Sequence, residues 1–317
     1  MVRIGYFLAT EEFGPDELVR QARRAEQAGF QALWISDHFH PWLDEQGNSP
    51  FVWSVIGALS QATSLPIATA VTCPMIRIHP AIVAQAAATA GVQTGGKFVL
   101  GLGTGEALNE HVLGDRWPAP PVRQEMLEEA IDVIRTLHRG GYVHHHGTQY
   151  TVENARLYTL PEEPVPIYVS AFGPKAARLA GRIGEGLCLP KPDADLVSAF
   201  QEAGGKGRTV QAGMKVCWAD SEQAGVEQAR TWANETLPGP LAVNLPTPKD
   251  FRQAVGLVGD DAVRESFACG PDVERHVREV QTFDEAGVDE LYVQQIGPEQ
   301  EKFFEAWQQN VLPHFHG

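Results

Sequence analysis

The stretch Gly101-Leu-Gly-Thr-Gly-Glu-Ala-Leu-Asn-Glu110 directly follows the apolar run Lys97-Phe-Val-Leu100. Such a run is typical of a buried strand, and the glycines allow the backbone to turn tightly or to lie against a ligand. Glu106 therefore stands where the chain leaves a strand, which in a barrel of parallel strands is the catalytic rim. The same residues also fit a glycine turn with an acidic helix start. Their spacing, Gly-x-Gly-x-Gly, differs from the dinucleotide-binding fingerprint.

Three other apolar runs end in polar or glycine-rich residues. They are 32–35 followed by Ser36-Asp-His-Phe-His-Pro-Trp42, 67–71 followed by Thr72-Cys-Pro74, and 167–169 followed by Ser170-Ala-Phe-Gly-Pro174. Catalytic residues in a parallel barrel come from the ends of several strands, and such ends face one ligand. The four exits together therefore favour a functional site over an isolated glycine turn.

The rest of the chain alternates strand-like and helix-like segments. Strands are predicted at residues 2–7, 32–35, 67–71, 98–101, 167–169, 186–189, 211–218 and 290–294. Amphipathic helices are predicted at residues 15–28, 80–90, 122–139, 174–182, 221–235, 272–286 and 298–311. Eight strands that alternate with helices predict an α/β fold, a (β/α)8 TIM barrel that spans residues 1–317 as a single domain.

Two segments interrupt this alternation. Residues 142–151 have the pattern of a hairpin with Gly147 at its turn. Residues 220–268 are rich in proline and glycine between positions 237 and 248, which indicates an insertion over the mouth of the barrel. We therefore expect insertions at the C-terminal rim.

Composition excludes several classes of protein. The formal net charge is −15, whereas nucleic-acid binding requires a basic face. No run reaches the roughly 18 apolar residues of a membrane span, and the chain begins with a strand pattern and no signal peptide, so we expect a cytoplasmic protein. The four cysteines are far apart and form no Cys-x-x-Cys, which predicts reduced, buried thiols. Cys73 differs from the others because it lies on the predicted rim.

Three consecutive histidines, His144, His145 and His146, suggest a metal site at first sight. Neighbouring side chains on a strand point to opposite faces, so the three cannot bind one ion together. No cysteine or acidic residue lies nearby at ligand spacing. We therefore predict no metal.

The quoted motifs resemble those of the bacterial-luciferase-like superfamily of TIM barrels, and within it the dehydrogenases that use the deazaflavin coenzyme F420. The resemblance covers nearly the whole chain. It is carried by Ile4-Gly-Tyr6 with Glu11, Ser36-Asp-His-Phe-His-Pro-Trp42, Pro80-Ala-Ile-Val-Ala-Gln85, Gly103-Thr-Gly-Glu-Ala-Leu-Asn-Glu110 and Val165-Pro-Ile-Tyr168. It implies a homodimer that binds coenzyme F420 and a small-molecule substrate, with no nucleic-acid or membrane partner.

The resemblance also implies site residues. For the coenzyme these are Asp37 at the deazaflavin ring, Ala70 and Val71 as a non-proline cis peptide behind it, the turn that begins at Gly105 together with Asn109, and Ser170, Ala171, Phe172 and Gly173 at its phosphate. For the reacting face they are His38, Trp42, Glu106 and Glu11. From position alone we add Lys175, Arg178 and Arg182 for the acidic tail of the coenzyme.

The substrate implied by the resemblance is a sugar 6-phosphate or a secondary alcohol. Arg264 matches an arginine that grips the phosphate in the sugar-phosphate enzymes, and Lys191 approximately matches a lysine. The pattern around Arg264 allows two alternatives, a short apolar strand over residues 265–268 that presents it at the rim, or a solvated arginine at the end of a helix. A threonine of that cluster falls on Pro190, and a further lysine has no counterpart in residues 237–244. Thr72-Cys-Pro74 and Pro121-Val-Arg-Gln124 look more like the alcohol dehydrogenases. We favour the sugar 6-phosphate.

The expected reaction is hydride removal from a carbinol carbon. Because the hydroxyl must then lose a proton, His38 is the predicted base, and Glu106 the predicted acid, with their roles exchangeable. Trp42 steadies the transition state through its N–H. Two alternatives remain at this stage: an FMN-dependent monooxygenase on the same barrel, and a flavin-binding relative without catalysis.

Overall fold

The computed structural model describes residues 1–315, and eight parallel strands in it close into a barrel. Around the barrel, with strands numbered along the chain, these are β1 (Arg3–Leu8), β2 (Leu33–Ile35), β3 (Ile67–Thr69), β4 (Phe98–Leu102), β7 (Ile167–Ser170), β8 (Gly186–Leu189), β9 (Thr209–Cys217) and β11 (Glu290–Gln295). β11 pairs with β1 and so closes the ring. The predicted (β/α)8 TIM barrel is confirmed, and each predicted strand lies within two residues of an observed one.

The helices surround this barrel. They are α1 (Pro15–Ala28), α2 (Val52–Leu59), α3 (Pro80–Gln93), α4 (Ala107–Glu110), α5 (Pro120–His138), α6 (Pro174–Ile183), α7 (Ala194–Phe200), α8 (Glu222–Ala229), α9 (Gly239–Ala242), α10 (Pro248–Val255), α11 (Asp260–Ser266), α12 (Val273–Glu285) and α13 (Gln300–Ala306). The seven predicted helices are present, and α8 continues into a 3₁₀ helix over Arg230–Thr236 while α13 continues into a π-helix over Trp307–Val311. The helices that were not predicted have eight residues or fewer.

Alternate residues of the strands face inward and fill the barrel. Phe7, Trp34, Ala68, Cys188 and Tyr292, from five different strands, form one buried cluster. The rings of Trp34 and Tyr292 stack with centroids 4.6 Å apart. Because the interior is packed with side chains, a ligand has room only at the ends of the barrel.

The outward-facing residues of the strands pack against the helices. Tyr6 contacts Phe303 and Phe304 of α13, with ring centroids 5.9 and 4.8 Å away. The largest buried apolar cluster extends from this layer around the barrel. Hydrophobic burial thus holds the strand ends in place, and the loops that follow them are free to carry polar groups.

The hairpin and the insertion both occur where they were predicted. β5 (Val143–His146) and β6 (Thr151–Ala155) are antiparallel, and His145 lies against Glu129 while His144 and His146 lie against Glu153. The segment 220–268 contains α8 to α11 and ends at β10 (Ala268–Cys269), which pairs with β9.

Of the two alternatives for Arg264, the structure contains the helix, because Arg264 and Glu265 belong to α11 and only Ala268 and Cys269 pair as a strand. Val263 and Phe267, four residues apart, are both buried in the same cluster, which is the spacing of a helix face.

The backbone contains a cis peptide bond between Ala70 and Val71, as the resemblance implies. Within residues 1–315, the structure contains no helix that combines the length and the apolar character needed to cross a membrane.

Candidate active site

Asp37, at the exit of β2, is held by donors from the exit of β3. Its Oδ2 accepts a hydrogen bond from Thr72 Oγ1 at 2.8 Å, and its Oδ1 accepts one from Arg77 Nη2 at 2.8 Å. The Asp37 side chain is fully buried and that of Arg77 is 7% exposed. The exits of two neighbouring strands are therefore joined by a buried ion pair.

His38 and Glu11 form a second pair at the rim. His38 Nε2 lies 3.3 Å from Glu11 Oε1, and the hydroxyl of Ser36 donates to Glu11 Oε2 at 2.6 Å. Glu11 is buried and His38 is largely so. The two residues come from the exits of β1 and β2, which the barrel places side by side.

Asn109 determines how the His38 ring is presented. Its Oδ1 accepts the backbone N–H groups of Phe39 and His40, so its Nδ2 is the atom that lies 3.1 Å from His38 Nδ1. The carbonyl oxygen of His40 also lies 3.1 Å from that nitrogen. Nδ1 thus faces a donor and an acceptor, and finds a partner whether or not it carries a proton.

Trp42 and Glu106 complete the predicted reacting face. The Trp42 ring lies edge-on to His38, with centroids 4.9 Å apart, and also packs against Phe251 of α10. Glu106 precedes α4, is half-buried and caps none of its backbone N–H groups. Its carboxylate is therefore not committed to the helix start that the sequence also allowed.

The glycines of the opening motif let the exit of β4 lie against the exit of β3. A Cβ on Gly103 would lie 2.6 Å from Val71 Cγ2, and one on Gly105 would lie 2.8 Å from Cys73 Sγ. Gly105 also has a φ of +68°, in the left-handed region that favours glycine. Cys73 is buried, and burial, followed by the charges of Glu110 and Glu106, raises the pKa of its thiol.

Ser170, Ala171, Phe172 and Gly173 form the turn from β7 into α6. Ala171 is fully buried, whereas the Phe172 side chain is 68% exposed. Gly173 is the N-cap residue of the ten-residue helix α6, no side chain caps that helix, and the space beside the Gly173 Cα is open. The backbone N–H groups at this end of α6 are available to an anion.

Arg264 and Lys191 are not gathered into a cluster of free cations. Arg264 Nη1 lies 2.6 Å from Asp261 Oδ1, and its Nε lies 3.8 Å from Glu222 Oε1. Its side chain is 34% exposed, and Lys191 is exposed in the loop after β8. The predicted phosphate-binding arginine is thus already neutralised by carboxylates.

The sequence of this chain matches the luciferase-like monooxygenase family model over residues 2–290. The chain belongs to that family. It is 35% identical to an F420-dependent glucose-6-phosphate dehydrogenase of Microbacterium testaceum, over 98% of this chain and 97% of the relative. An enzyme of the same name from Amycolatopsis mediterranei is 32% identical, over 99% and 98% of the two chains.

Solved structures are also similar to this chain. An F420-dependent secondary alcohol dehydrogenase in complex with an F420–acetone adduct superposes with a TM-score of 0.93 at 33% identity, covering 100% of this chain and 99% of the other. The coenzyme F420-dependent tetrahydromethanopterin reductase of Methanopyrus kandleri shares the fold, with a TM-score of 0.80 at 24% identity over 99% of each chain.

In this luciferase-like chain, Arg77 and Glu12 occupy site positions that the sequence did not reveal. Glu12 accepts the backbone N–H of Gly297 at 2.7 Å and the indole N–H of Trp232 at 3.0 Å. Burial raises the pKa of Glu12 to about 7, against the two hydrogen bonds, which lower it. The only signal in the sequence was the position of both residues on loops that follow predicted strands.

Proposed function

We propose that this protein is a coenzyme F420-dependent dehydrogenase that removes hydride from a carbinol carbon. The observation that carries the proposal is the His38–Glu11 pair with Trp42 against it, because oxidation of a carbinol requires a group that accepts the hydroxyl proton. Relatives with F420-dependent names that align with nearly the whole chain support the same reaction.

The residues present fit this coenzyme. The open, uncapped N-terminus of α6 suits a phosphate, since nothing lies within 4 Å of a Cβ placed on Gly173. Asp37 would contact the ring, Ala70 and Val71 would support it, Asn109 with the turn from Gly105 would hold it, and Ser170, Ala171, Phe172 and Gly173 would take the phosphate. Lys175, Arg178 and Arg182 of α6 would meet the acidic tail. When bound, the deazaflavin supplies a carbon atom that accepts hydride.

The side chains around His38 let it gain and lose a proton without losing its partners. In the neutral ring, Nδ1 accepts from Asn109 and the proton on Nε2 points at Glu11. In the charged ring, Nδ1–H donates to the His40 carbonyl and Nε2–H points at Glu11. We propose that the His38–Glu11 pair takes the hydroxyl proton. Glu106 then donates a proton on the coenzyme side, and the Trp42 N–H steadies the transition state.

For the substrate, we propose a sugar 6-phosphate, and the names of the relatives support it. To bind the phosphate, Arg264 would give up its ion pairs with Asp261 and Glu222 and form one with the phosphate instead. Lys191 would be the second cation of this site. One observation favours a secondary alcohol instead: the Arg264 charge is already compensated. The alcohol dehydrogenase with a TM-score of 0.93 points the same way.

Titration of the purified protein with oxidised coenzyme F420 and, separately, with FMN tests the proposal. Quenching of the coenzyme's fluorescence should give a lower Kd for F420 than for FMN. Asp37→Ala is the matched control, since it removes a proposed ring contact and should weaken F420 binding. Tighter binding of FMN than of F420 would contradict the proposal and favour a monooxygenase.

We also propose that residues 1–317 act as one domain in a cytoplasmic homodimer. The family resemblance supports this assembly. Light scattering coupled to size-exclusion chromatography should give a mass of about twice that of the 34.6 kDa chain, and a monomer at micromolar concentration would contradict it.

A further inference from the structure

We propose that Arg77 is a positioning residue for the coenzyme, acting through Asp37. The inference rests on the proposed function, in which Asp37 contacts the deazaflavin ring. Arg77 itself lies in the loop between β3 and α3 and donates a hydrogen bond to the Asp37 carboxylate.

Arg77 is enclosed between two buried carboxylates. Its Nη2 donates to Asp37 Oδ1 at 2.8 Å, and its Nε lies 3.6 Å from Glu110 Oε1. The side chain of Arg77 is 7% exposed, and those of Asp37 and Glu110 are fully buried. Burial lowers the pKa of Arg77, but Asp37 and Glu110 outweigh it and raise the pKa above the usual value. The guanidinium therefore stays charged, and the pair is not weakened by water.

Glu110 keeps Arg77 in place from the opposite side. Its Oε2 accepts the backbone N–H groups of Ile76 and Arg77, at 3.2 and 3.0 Å. The loop that carries Arg77 is thereby tied to α4, because Glu110 is the last residue of the motif that contains Glu106 and Asn109. Within residues 1–315, Arg77 Nε and Glu110 Oε1 have no hydrogen-bond partner, and they lie 3.6 Å apart. At that distance they attract each other as opposite charges and do not form a hydrogen bond.

The Asp37 side chain is fully buried and its position is set by Arg77 and Thr72, whereas the exposed 5% of the residue belongs to its backbone. A carboxylate has about four acceptor sites, and Arg77 and Thr72 each occupy one, on different oxygens. The remaining acceptor sites have a fixed direction because both oxygens are held. Without Arg77, the carboxylate would rotate, and part of the binding free energy would be lost in ordering it again.

A double-mutant cycle on the Kd of coenzyme F420 tests the inference. Arg77→Lys keeps the positive charge but cannot span Asp37 and Glu110 in one plane, so it should raise the Kd by about tenfold to a hundredfold, the range of one charge-assisted hydrogen bond. The partner variant is Asp37→Asn. Arg77→Met is a second variant, but it leaves two buried carboxylates without a cation and is expected to unfold at a lower temperature.

The cycle separates positioning from a general structural role. If Arg77 acts through Asp37, Arg77→Lys should change the Kd by less than about twofold in the Asp37→Asn background. The exposed pair of Arg278 with Glu274 supplies a control, since Arg278→Lys should leave the Kd unchanged.

Each outcome is informative. An equal loss of affinity in both backgrounds, or none in either, would overturn the inference while the proposed function stands. A wild-type protein that does not bind F420 would overturn the proposed function and this inference together. Melting temperatures of all variants without coenzyme show whether a loss of affinity comes from unfolding.

Discussion

The mouth of the barrel is formed by two sides that differ in how their charges are satisfied. On the side of β2, β3 and β4, Asp37, Arg77 and Glu110 are buried and paired with one another. On the side of β9 and the 220–268 segment, Arg264 and Arg230 are partly exposed and paired with Asp261 and Asp260. Exposed ion pairs are worth about 0–1 kcal/mol, whereas breaking a buried one costs about 3–5 kcal/mol.

We call the first of these the buried side and the second the exposed side, and the difference between them suits two different tasks. The buried side has one stable arrangement and suits a constant ligand, the coenzyme. The exposed side can exchange its pairs at little cost, and so suits the part of the site where the substrate is chosen. A sugar phosphate and a secondary alcohol would differ mainly in what they require of this second side.

The largest effect is expected at Glu106, on the buried side. Glu106→Gln keeps the shape but removes the proton-transfer group, so turnover should fall by about 10²–10⁴-fold while the Kd for F420 changes little. Steady-state kinetics and fluorescence titration measure the two quantities. The exposed Glu162 provides the control, as Glu162→Gln should leave both unchanged. Turnover within a few-fold of wild type would make Glu106 a residue of the helix start only.

A smaller and more selective effect is expected at Arg264, on the exposed side. Arg264→Ala should raise the KM for glucose 6-phosphate by about one to two orders of magnitude, the worth of a charge-assisted bond to phosphate, and leave isopropanol kinetics unchanged. Arg230→Ala, in the same segment, is the control and should affect neither substrate. Activity on isopropanol alone, indifferent to Arg264, would assign the enzyme to the alcohol dehydrogenases.

The smallest effect is expected on the free energy of unfolding, and it concerns Glu12. This residue follows β1 and accepts a hydrogen bond from the indole N–H of Trp232, in the 220–268 segment. Its pKa is raised from 4.5 to about 7 in the folded protein, mainly by burial. The folded state therefore binds this proton more tightly than the unfolded chain, and the free energy of unfolding should fall as the pH rises from about 4.5 to about 7.

Glu12→Gln removes this titration. The stability of wild type relative to the variant should fall by roughly 1–3 kcal/mol between about pH 5 and about pH 8, as measured by urea unfolding. Glu162→Gln controls for the loss of one charge. Parallel pH dependences of wild type and Glu12→Gln would show that Glu12 does not titrate in this range.

Much of the buried side could be predicted from sequence, and the exposed side could not. The strands are short apolar runs that end in polar residues, so residues such as Asp37 and Glu106 could be placed at their exits. The pairing of Asp37 with Arg77 could not be predicted, because the two are 40 positions apart and meet only when β2 and β3 are adjacent.

Arg264 shows why the exposed side is harder to predict. The pattern around it allowed a strand or a helix, and the helix was selected by the burial of Val263 and Phe267 against Trp232. Its counter-ion Glu222 lies 42 positions earlier, on α8. The local pattern thus contained no information on which carboxylates neutralise the arginine.

An absorbance assay of the purified protein with oxidised coenzyme F420 and each candidate carbinol in turn is a direct test of the proposed dehydrogenase reaction. We expect F420 to be reduced only when the protein and either glucose 6-phosphate or isopropanol are both present, and Glu106→Gln to slow this reduction. F420 that stays oxidised with every carbinol, while the protein consumes oxygen in the presence of reduced FMN, would contradict the proposed function.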